Sequence, residues 1–378
     1  MRSDALVIGG GPAGATAAIS IATQGHSVVL LEQRPSSRPG SHRSWLLNHE
    51  AFRDLHLLGV DLEGHEITEV RFSHHHNGIE RPLRAGAAYS VSQDHLFAAL
   101  RQRSRDVGVE VLEETRASTP IIDRGLLRGT ICDSGLELRS EYTVIADGAN
   151  STFGRNLGTY RRRDLPYLIA INGTWSSSRA TAPTVNIALD LIRSDESPLA
   201  GYGWLLPNGD DSVTAGVVVP STVRDVESVN LQQVLINMVT THSGQWDLHF
   251  DSPLELGRER RLPIGGSVGP ILGPTFVVAG DAAATADPLS GIGVSGAVLS
   301  GGLAGSVVAD AISTGASAPL QRYSSDLAAA LQRRRRLGRV MLPILGHKLG
   351  RFALPFAAHS RAAADALLRS AFDTSLSG

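Results

Sequence analysis

Gly9, Gly11 and Gly14 stand at the spacing G-x-G-x-x-G in the stretch LVIGGGPAGATAA, where a short apolar run gives way to alanine. That spacing suits a dinucleotide. The first glycine permits a tight turn, the second lets a pyrophosphate approach the backbone, and the third lets a helix pack closely on the preceding strand. The start of that helix, with Pro12 and Ala13 in its first turn, would turn unpaired N–H groups and a positive dipole toward the phosphates. Glu32, followed by Gln33, closes the next apolar run, HSVVLLEQR, at the distance where a carboxylate accepts from ribose hydroxyls. A 2′-phosphorylated nucleotide is disfavoured there, because two negative charges would meet. Other dinucleotides, NAD among them, stay open, as does a glycine-rich turn whose glutamate merely faces solvent.

A second set of residues is suited to lining a substrate. In GYGWLLPNGDDSVTAGVVV the two-residue period of an extended chain puts Tyr202, Trp204 and Leu206 on one face. They read as the wall of an apolar tunnel or as filling between domains. Metal chemistry has little support: the side chains of His74 to His76 alternate in direction in any strand, so no metal site is expected. The single cysteine, Cys132, excludes an intramolecular disulfide and a thiolate-rich metal site, and fits a cytosolic setting.

The elements needed to position these residues follow from the pattern. A strand from about Asp4 to Ile8, a turn, a helix from Ala13 to Thr23 and a second strand ending at Glu32 make an opening βαβ unit. Arg34 to Arg43 reads as a loop across the ligand region. Short antiparallel strands are expected between His65 and Tyr89, then an amphipathic helix in VSQDHLFAALRQRSRDVG closed by Gly108. A hairpin around Asp133, Ser134 and Gly135 leads back to the first sheet at Tyr142 to Ala146. Alternating stretches from Tyr167 to Val219 predict an inserted antiparallel sheet, with a helix over Val226 to Thr241 covering one face. TFVVAGDAA reads as a further buried strand, and Pro288 to Ala311 as a helix of small residues. The expected architecture is α/β (α+β): a discontinuous Rossmann-like dinucleotide domain (1–64, 90–165 and 258–318), an antiparallel substrate domain (65–89 and 166–257) and a C-terminal helical region (319–378).

Composition agrees with this organisation. At 378 residues the chain has length for two domains. Its 35 basic and 37 acidic side chains give a formal net charge of -2, so no global field recommends nucleic acid as a partner. Forty glycines and 5% aromatics describe many tight turns, not a helical bundle. Neither a secretory segment nor an uninterrupted apolar run of membrane-spanning length is read. Residues 333–356 mix Arg333 to Arg336 with Leu337, Val340, Met341, Leu342, Ile344 and Leu345. They are a candidate peripheral membrane contact or a helix packed on the dinucleotide domain, with Pro343 and Gly346 expected to prevent a long regular helix.

Three segments together carry a family resemblance: VIGGGPAGATAA with LLEQR, the middle VIADGANSTFGRNLG, and FVVAGDAAATADPLSGIGVSGAVLSGG near residue 280. In order, they resemble the geranylgeranyl reductase family within the para-hydroxybenzoate hydroxylase-like flavoprotein superfamily, and imply FAD as the cofactor. By that resemblance Asp147 and Gly148 match an Asp-Gly pair near the pyrophosphate, and Gly280 and Asp281 a Gly-Asp pair at the ribityl and pyrophosphate region. Pro288, Gly291 and Gly293, leading into Val294, match a turn that brings N–H groups toward the isoalloxazine. Aspartates that merely cap helices are the alternative for Asp147 and Asp281. Arg43 is expected over the flavin or its phosphate, or else on the surface. Gln93 stands where the family usually has an arginine, and SHRSWLL replaces its cysteine-glycine motif.

The stretch from Tyr202 also looks like the family's Y-x-W-x-F-P-x-G. The expected activity is therefore hydride transfer from reduced FAD to a carbon-carbon double bond of an apolar, isoprenoid-like small molecule. Electrons would come from transiently bound NAD(P)H or from an external electron-transfer partner. The competing reading is an FAD monooxygenase of an aromatic or polyketide-like compound. A halogenase is disfavoured, because W-x-W-x-I-P is missing and the only lysine is Lys348. A non-enzymatic, FAD-bearing assembly protein is the remaining alternative. The expected location is cytoplasmic, with or without peripheral attachment to a membrane.

Overall fold

The computed structural model describes residues 1–35, 41–74 and 77–346, together with 360, 362, 364, 365 and 368; within the last long helix, the side chains of 333–337, 339–341 and 343–346 fall outside that description. His75, His76 and part of the expected loop and tail (36–40 and 347–356) also lie outside the described residues.

Ala5, Leu6, Val7 and Ile8 are all buried, which marks a strand covered on both faces, and Arg2–Ile8 is the centre of a seven-stranded sheet. Val28–Leu31 and Glu137–Ile145 flank it in parallel, Glu110–Leu112 adds an edge, and Phe276–Val278 joins from far along the chain. The hairpin strands Leu126–Cys132 and Ala117–Asp123 extend the sheet antiparallel. Its register matters most for function. Ile8 pairs with both Leu31 and Ile145, and Ile145 with Val278. Gly9, Glu32, Ala146 and Ala279 therefore leave the sheet along one carboxyl edge, the place where open parallel sheets bind ligands.

Two helices of small residues cross on one face of this sheet, Pro12–Ala22 and Val294–Thr314. They approach closely because Gly301 and Gly305 lack side chains: a Cβ at Gly301 would lie 2.2 Å from the Ala13 carbonyl oxygen, and one at Gly305 2.6 Å from the Ser20 Cβ. Val294–Thr314 is also the only described helix long and apolar enough to cross a membrane, and it is largely buried in this core. The expected helix from Pro288 thus begins six residues later, at Val294, because Asp287 and the glycines hold Pro288 to Gly293 as a turn.

The second sheet has eight strands, with Tyr167–Ser176, Ser212–Pro220, Tyr202–Pro207 and Thr184–Ala188 at its centre. Its pairings are antiparallel except that of Thr184–Ala188 with Glu69–His74, which is parallel. One face packs under helix Leu231–Trp246 through Ile169, Ile171, Val217 and Val219. The sequence placed this helix at Val226 to Thr241. Val226–Ser228 is instead a short 3-10 turn, and the helix starts where the Asn230 side chain accepts from the Gln233 N–H at 3.1 Å. The opposite face turns toward the first sheet.

The last helix, Leu320–Gly346, is continuous through Pro343, contrary to the expected interruption. Proline costs one ladder bond there, and the packing of the preceding turns carries the helix past it. Leu320, Tyr323, Leu327 and Leu331 bury in the dinucleotide-domain core, and the Tyr323 hydroxyl donates to the Val278 carbonyl at 2.7 Å. This stripe at helical spacing packs the first half of the helix on that core, while nearly all the side chains of the candidate contact at 333–356 lie outside the described residues.

Candidate active site

Between the two sheets lies a cavity of about 430 Å³. Gly11, Pro12, Ala13, Gly280 and Asp281 line one part of it, Pro288 to Val294 the middle, and Val70, Phe72, Val185, Ile187 and Leu206 another part.

The glycines divide by what surrounds them. A Cβ at Gly14 would sit 1.9 Å from the Gly9 carbonyl oxygen, and one at Gly9, whose φ is +104°, 2.3 Å from that of Ala146. These two hold the turn against the helix and the neighbouring strand. Gly11 differs: a Cβ there would meet nothing within 4 Å, so its backbone borders open cavity. Glu32 folds back on the same turn, its Oε2 accepting from Gly10 N–H at 3.0 Å and its Oε1 from Arg34 N–H at 2.9 Å, while Gln33 is exposed. Neither of these two lines the cavity.

Asp281 lies on the cavity wall, 3.1 Å from where a Cβ on Gly293 would be; its carbonyl accepts from the Ala284 N–H at 3.0 Å, while its carboxyl takes no hydrogen bond from the described residues. Burial pushes its carboxyl up from the ordinary range, against the pull of Arg260. Asp147 is placed otherwise. Its Oδ2 accepts from the Phe153 N–H at 2.9 Å at the start of the short helix Thr152–Asn156, and its neighbours Ala146 and Gly148, not Asp147, line the cavity. That is the capping arrangement weighed for it. Burial raises its carboxyl as well.

The turn from Pro288 to Gly293 is built by a residue the sequence reading passed over. Asp287, 6% exposed, accepts through Oδ1 from the N–H groups of Leu289 (3.0 Å) and Ser290 (2.6 Å) and from the Ser290 hydroxyl (2.8 Å). Gly291, at φ +61°, completes the bend, and Gly293 caps the 21-residue helix that starts at Val294 and turns its amino end to the cavity. The second sheet grips this turn too, since the Tyr202 hydroxyl donates to the Ser290 carbonyl. Burial first, and the charge of Asp287 second, push the Tyr202 phenol far above its usual range. Tyr202 therefore keeps its proton and holds the turn.

Tyr202, Trp204 and Leu206 all line the cavity from one strand, the face that the two-residue period gives. The rings of Tyr202 and Trp204 lie 6.4 Å apart. Trp204 faces Gly216 across the sheet, and a Cβ on Gly216 would fall 2.1 Å from the indole, so this glycine makes the space the ring fills.

Arg43 is no surface arginine. Its side chain is 14% exposed, lines the cavity and pairs with Glu255, whose other oxygen accepts from the Ser41 hydroxyl at 3.0 Å. Gln93 lines the cavity beside it, its N–H donating to the Arg43 carbonyl at 2.9 Å. Arg258 and Arg260 reach the cavity without having been singled out. The pairing of Arg260 with Ala170 and of Leu262 with Leu168 puts them on the cavity face, and the alternation in GRERRLP is the signal that could have found them.

These residues fit FAD. A backbone cradle open at Gly11, a buried carboxyl at Asp281 that takes no hydrogen bond from the described residues and a long helix aimed from Gly293 are what a pyrophosphate, ribityl hydroxyls and an electron-rich ring require.

The comparisons with known proteins agree. Residues 2–167 match the family model described as FAD binding domain. The chain is 29% identical over 315 residues to a menaquinone reductase of Mycolicibacterium smegmatis, covering 80% of this chain and 75% of that protein. It is 25% identical over 329 residues to a digeranylgeranylglycerophospholipid reductase of Methanoculleus marisnigri, covering 82% and 78%. In fold it is similar to a geranylgeranyl bacteriochlorophyll reductase-like protein from Thermoplasma acidophilum, with a TM-score of 0.80, 21% identity and 98% and 96% of the two chains covered. A flavin-dependent brominase shares the fold at a TM-score of 0.73 and 20% identity, over 98% and 93%. Fold, cavity and matches define the class, an FAD-dependent oxidoreductase. Within that class the resemblance to the geranylgeranyl reductase family of the para-hydroxybenzoate hydroxylase-like superfamily holds, over about four fifths of the chain.

Proposed function

We propose that this protein reduces a carbon-carbon double bond in an apolar, isoprenoid-like small molecule. One observation carries the reading: a single cavity joins the backbone turns suited to FAD to an apolar wall built from the second sheet. Reduced FAD, when bound, supplies the hydride. Gly11, Gly280 and Asp281 would hold its pyrophosphate and ribityl chain, and the Pro288–Gly293 turn its ring. Trp204, Leu206, Phe72 and Val185 exclude water and align an alkene, which such a transfer needs more than a strong base. Tyr202 positions the turn through Ser290. The names of the reductases that this chain resembles, acting on a quinone and on a geranylgeranyl lipid, support an isoprenoid substrate.

Reducing equivalents would come from outside, from transient NAD(P)H or an electron-transfer partner. A cytoplasmic protein drawing its substrate from a membrane surface, by way of residues 333–356, completes the proposal. The test is product formation by FAD-loaded protein supplied with NADPH or a chemical reductant and a panel of isoprenoid alkenes, with and without oxygen. Saturated product in both atmospheres is expected; product that forms only with oxygen and carries an added oxygen atom would replace this reading with the monooxygenase one.

A further inference from the structure

The amino end of helix Val294–Thr314 would stabilise negative charge on a ring held at the Pro288–Gly293 turn. Asp287, buried at the start of that turn and on the cavity wall, opposes it. Its Oδ1 takes three donors, the N–H groups of Leu289 and Ser290 and the Ser290 hydroxyl, a set that suits a carboxylate. Its Oδ2 is sealed from solvent and has no hydrogen-bond partner among the described residues. An oxygen closed off in this way acts on a ligand in the cavity through its charge and not by contact. Tyr202, on the same wall, feels that charge: after burial, it is the second cause that raises the phenol.

The cations of the cavity do not cancel it. Arg43 is paired with Glu255, and Arg258 and Arg260 are exposed, where water and salt screen them far more than they screen a buried group. The donors of the turn point the same way. The Leu289 and Ser290 N–H groups are spent on Asp287, the Gly291 N–H donates to the Asp287 carbonyl at 3.0 Å, and the Ile292 N–H to the Ser290 hydroxyl at 3.4 Å. Four N–H groups that could meet a ring gaining negative charge are therefore committed inside the turn.

We propose that Asp287 is a positioning residue that lowers the reduction potential of bound FAD and so makes it a stronger hydride donor. Two electrons and one proton from the external donor turn the ring into an anion, and an uncompensated carboxylate nearby weakens binding of that reduced form relative to the oxidised one. The inference rests on FAD as the cofactor and stands whatever the substrate is.

The experiment measures the midpoint potential of bound FAD at neutral pH, by anaerobic reduction with xanthine and xanthine oxidase beside a dye of known potential. Wild type is compared with Asp287→Asn, Asp287→Ser and Tyr202→Phe. Asparagine and serine still accept from the N–H groups of a turn, so these variants remove the charge and keep the bend; Tyr202→Phe loosens the bend and keeps the charge. Both neutral variants are expected to favour reduced over oxidised FAD by about tenfold, a rise of about 30 mV for a two-electron couple, with Tyr202→Phe at the wild-type value. A potential unchanged or lowered in either loaded neutral variant, or raised equally in Tyr202→Phe, overturns the proposal. Asp287→Ser carries the test if Asp287→Asn does not hold FAD; loss of FAD from both also overturns it, since the carboxylate would then serve binding alone.

Discussion

Asp281 and Tyr202 face the same cavity with opposite duties. The Asp281 carboxyl is raised by burial, so the folded chain without cofactor holds its proton to a higher pH than the unfolded chain does. Stability from this group is therefore present below the ordinary aspartate pKa, about 3.9, and is lost as pH rises through the raised value. Asp281→Asn is expected to melt higher than wild type at pH 7 in the cofactor-free state, with the advantage vanishing as pH approaches 3, and to bind FAD more weakly. Melting curves across pH, paired with FAD titrations, check both; an advantage that grows on acidification would contradict the assignment. Tyr202→Phe removes one buried donor from the Ser290 carbonyl, worth about 1 kcal/mol of stability. FAD content should survive, while kcat falls by about tenfold as the turn loosens; unchanged kcat would show that Ser290 needs no anchor. At this scale the spacing of glycines was the most legible feature, because a backbone that must approach a phosphate tolerates no other residue. Asp287 was not legible: a carboxylate folded back on its own turn reads like any solvated charge.

Trp204 and Gly216 belong to neighbouring strands, and their pairing shows how an element shapes the cavity. Gly216→Ala would put a Cβ 2.1 Å from the indole and force the ring from its place. The expected cost is about 1–3 kcal/mol by denaturant unfolding, with a raised KM for an apolar substrate. Adding Trp204→Leu should recover most of that stability; failure to recover would mean that the strand, not the ring, resists the substitution. Strand faces were readable here because a two-residue period is rigid: Tyr202, Trp204 and Leu206 line the cavity as their alternation requires. Helix limits were read less well. The helix expected from Val226 waits for the Asn230 cap, and the one expected to be interrupted at Pro343 runs through it, since the proline removes a single ladder bond and tertiary packing by Leu320, Tyr323, Leu327 and Leu331 outweighs it.

Across the whole molecule, strands far apart in sequence end on one edge. Ile8, Leu31, Ile145 and Val278 are in register, and turns that follow three of them bring Gly11, Ala146, Gly148 and Gly280 to the region suited to FAD. The return of the chain to its first sheet could be read from three ordered motifs. The parallel pair inside the second sheet could not, because it arises from a contact between segments more than 100 residues apart. Such an arrangement would hold an apolar substrate beside a flavin, and the reaction proposed for it is reduction without oxygen. The most direct measurement mixes anaerobically reduced, FAD-loaded protein with an isoprenoid alkene in a single turnover and follows the flavin spectrum and the product together. The account predicts one flavin reoxidised for each double bond saturated, with no oxygen present. A flavin that stays reduced until oxygen is admitted, and then yields an oxygenated product, would contradict it.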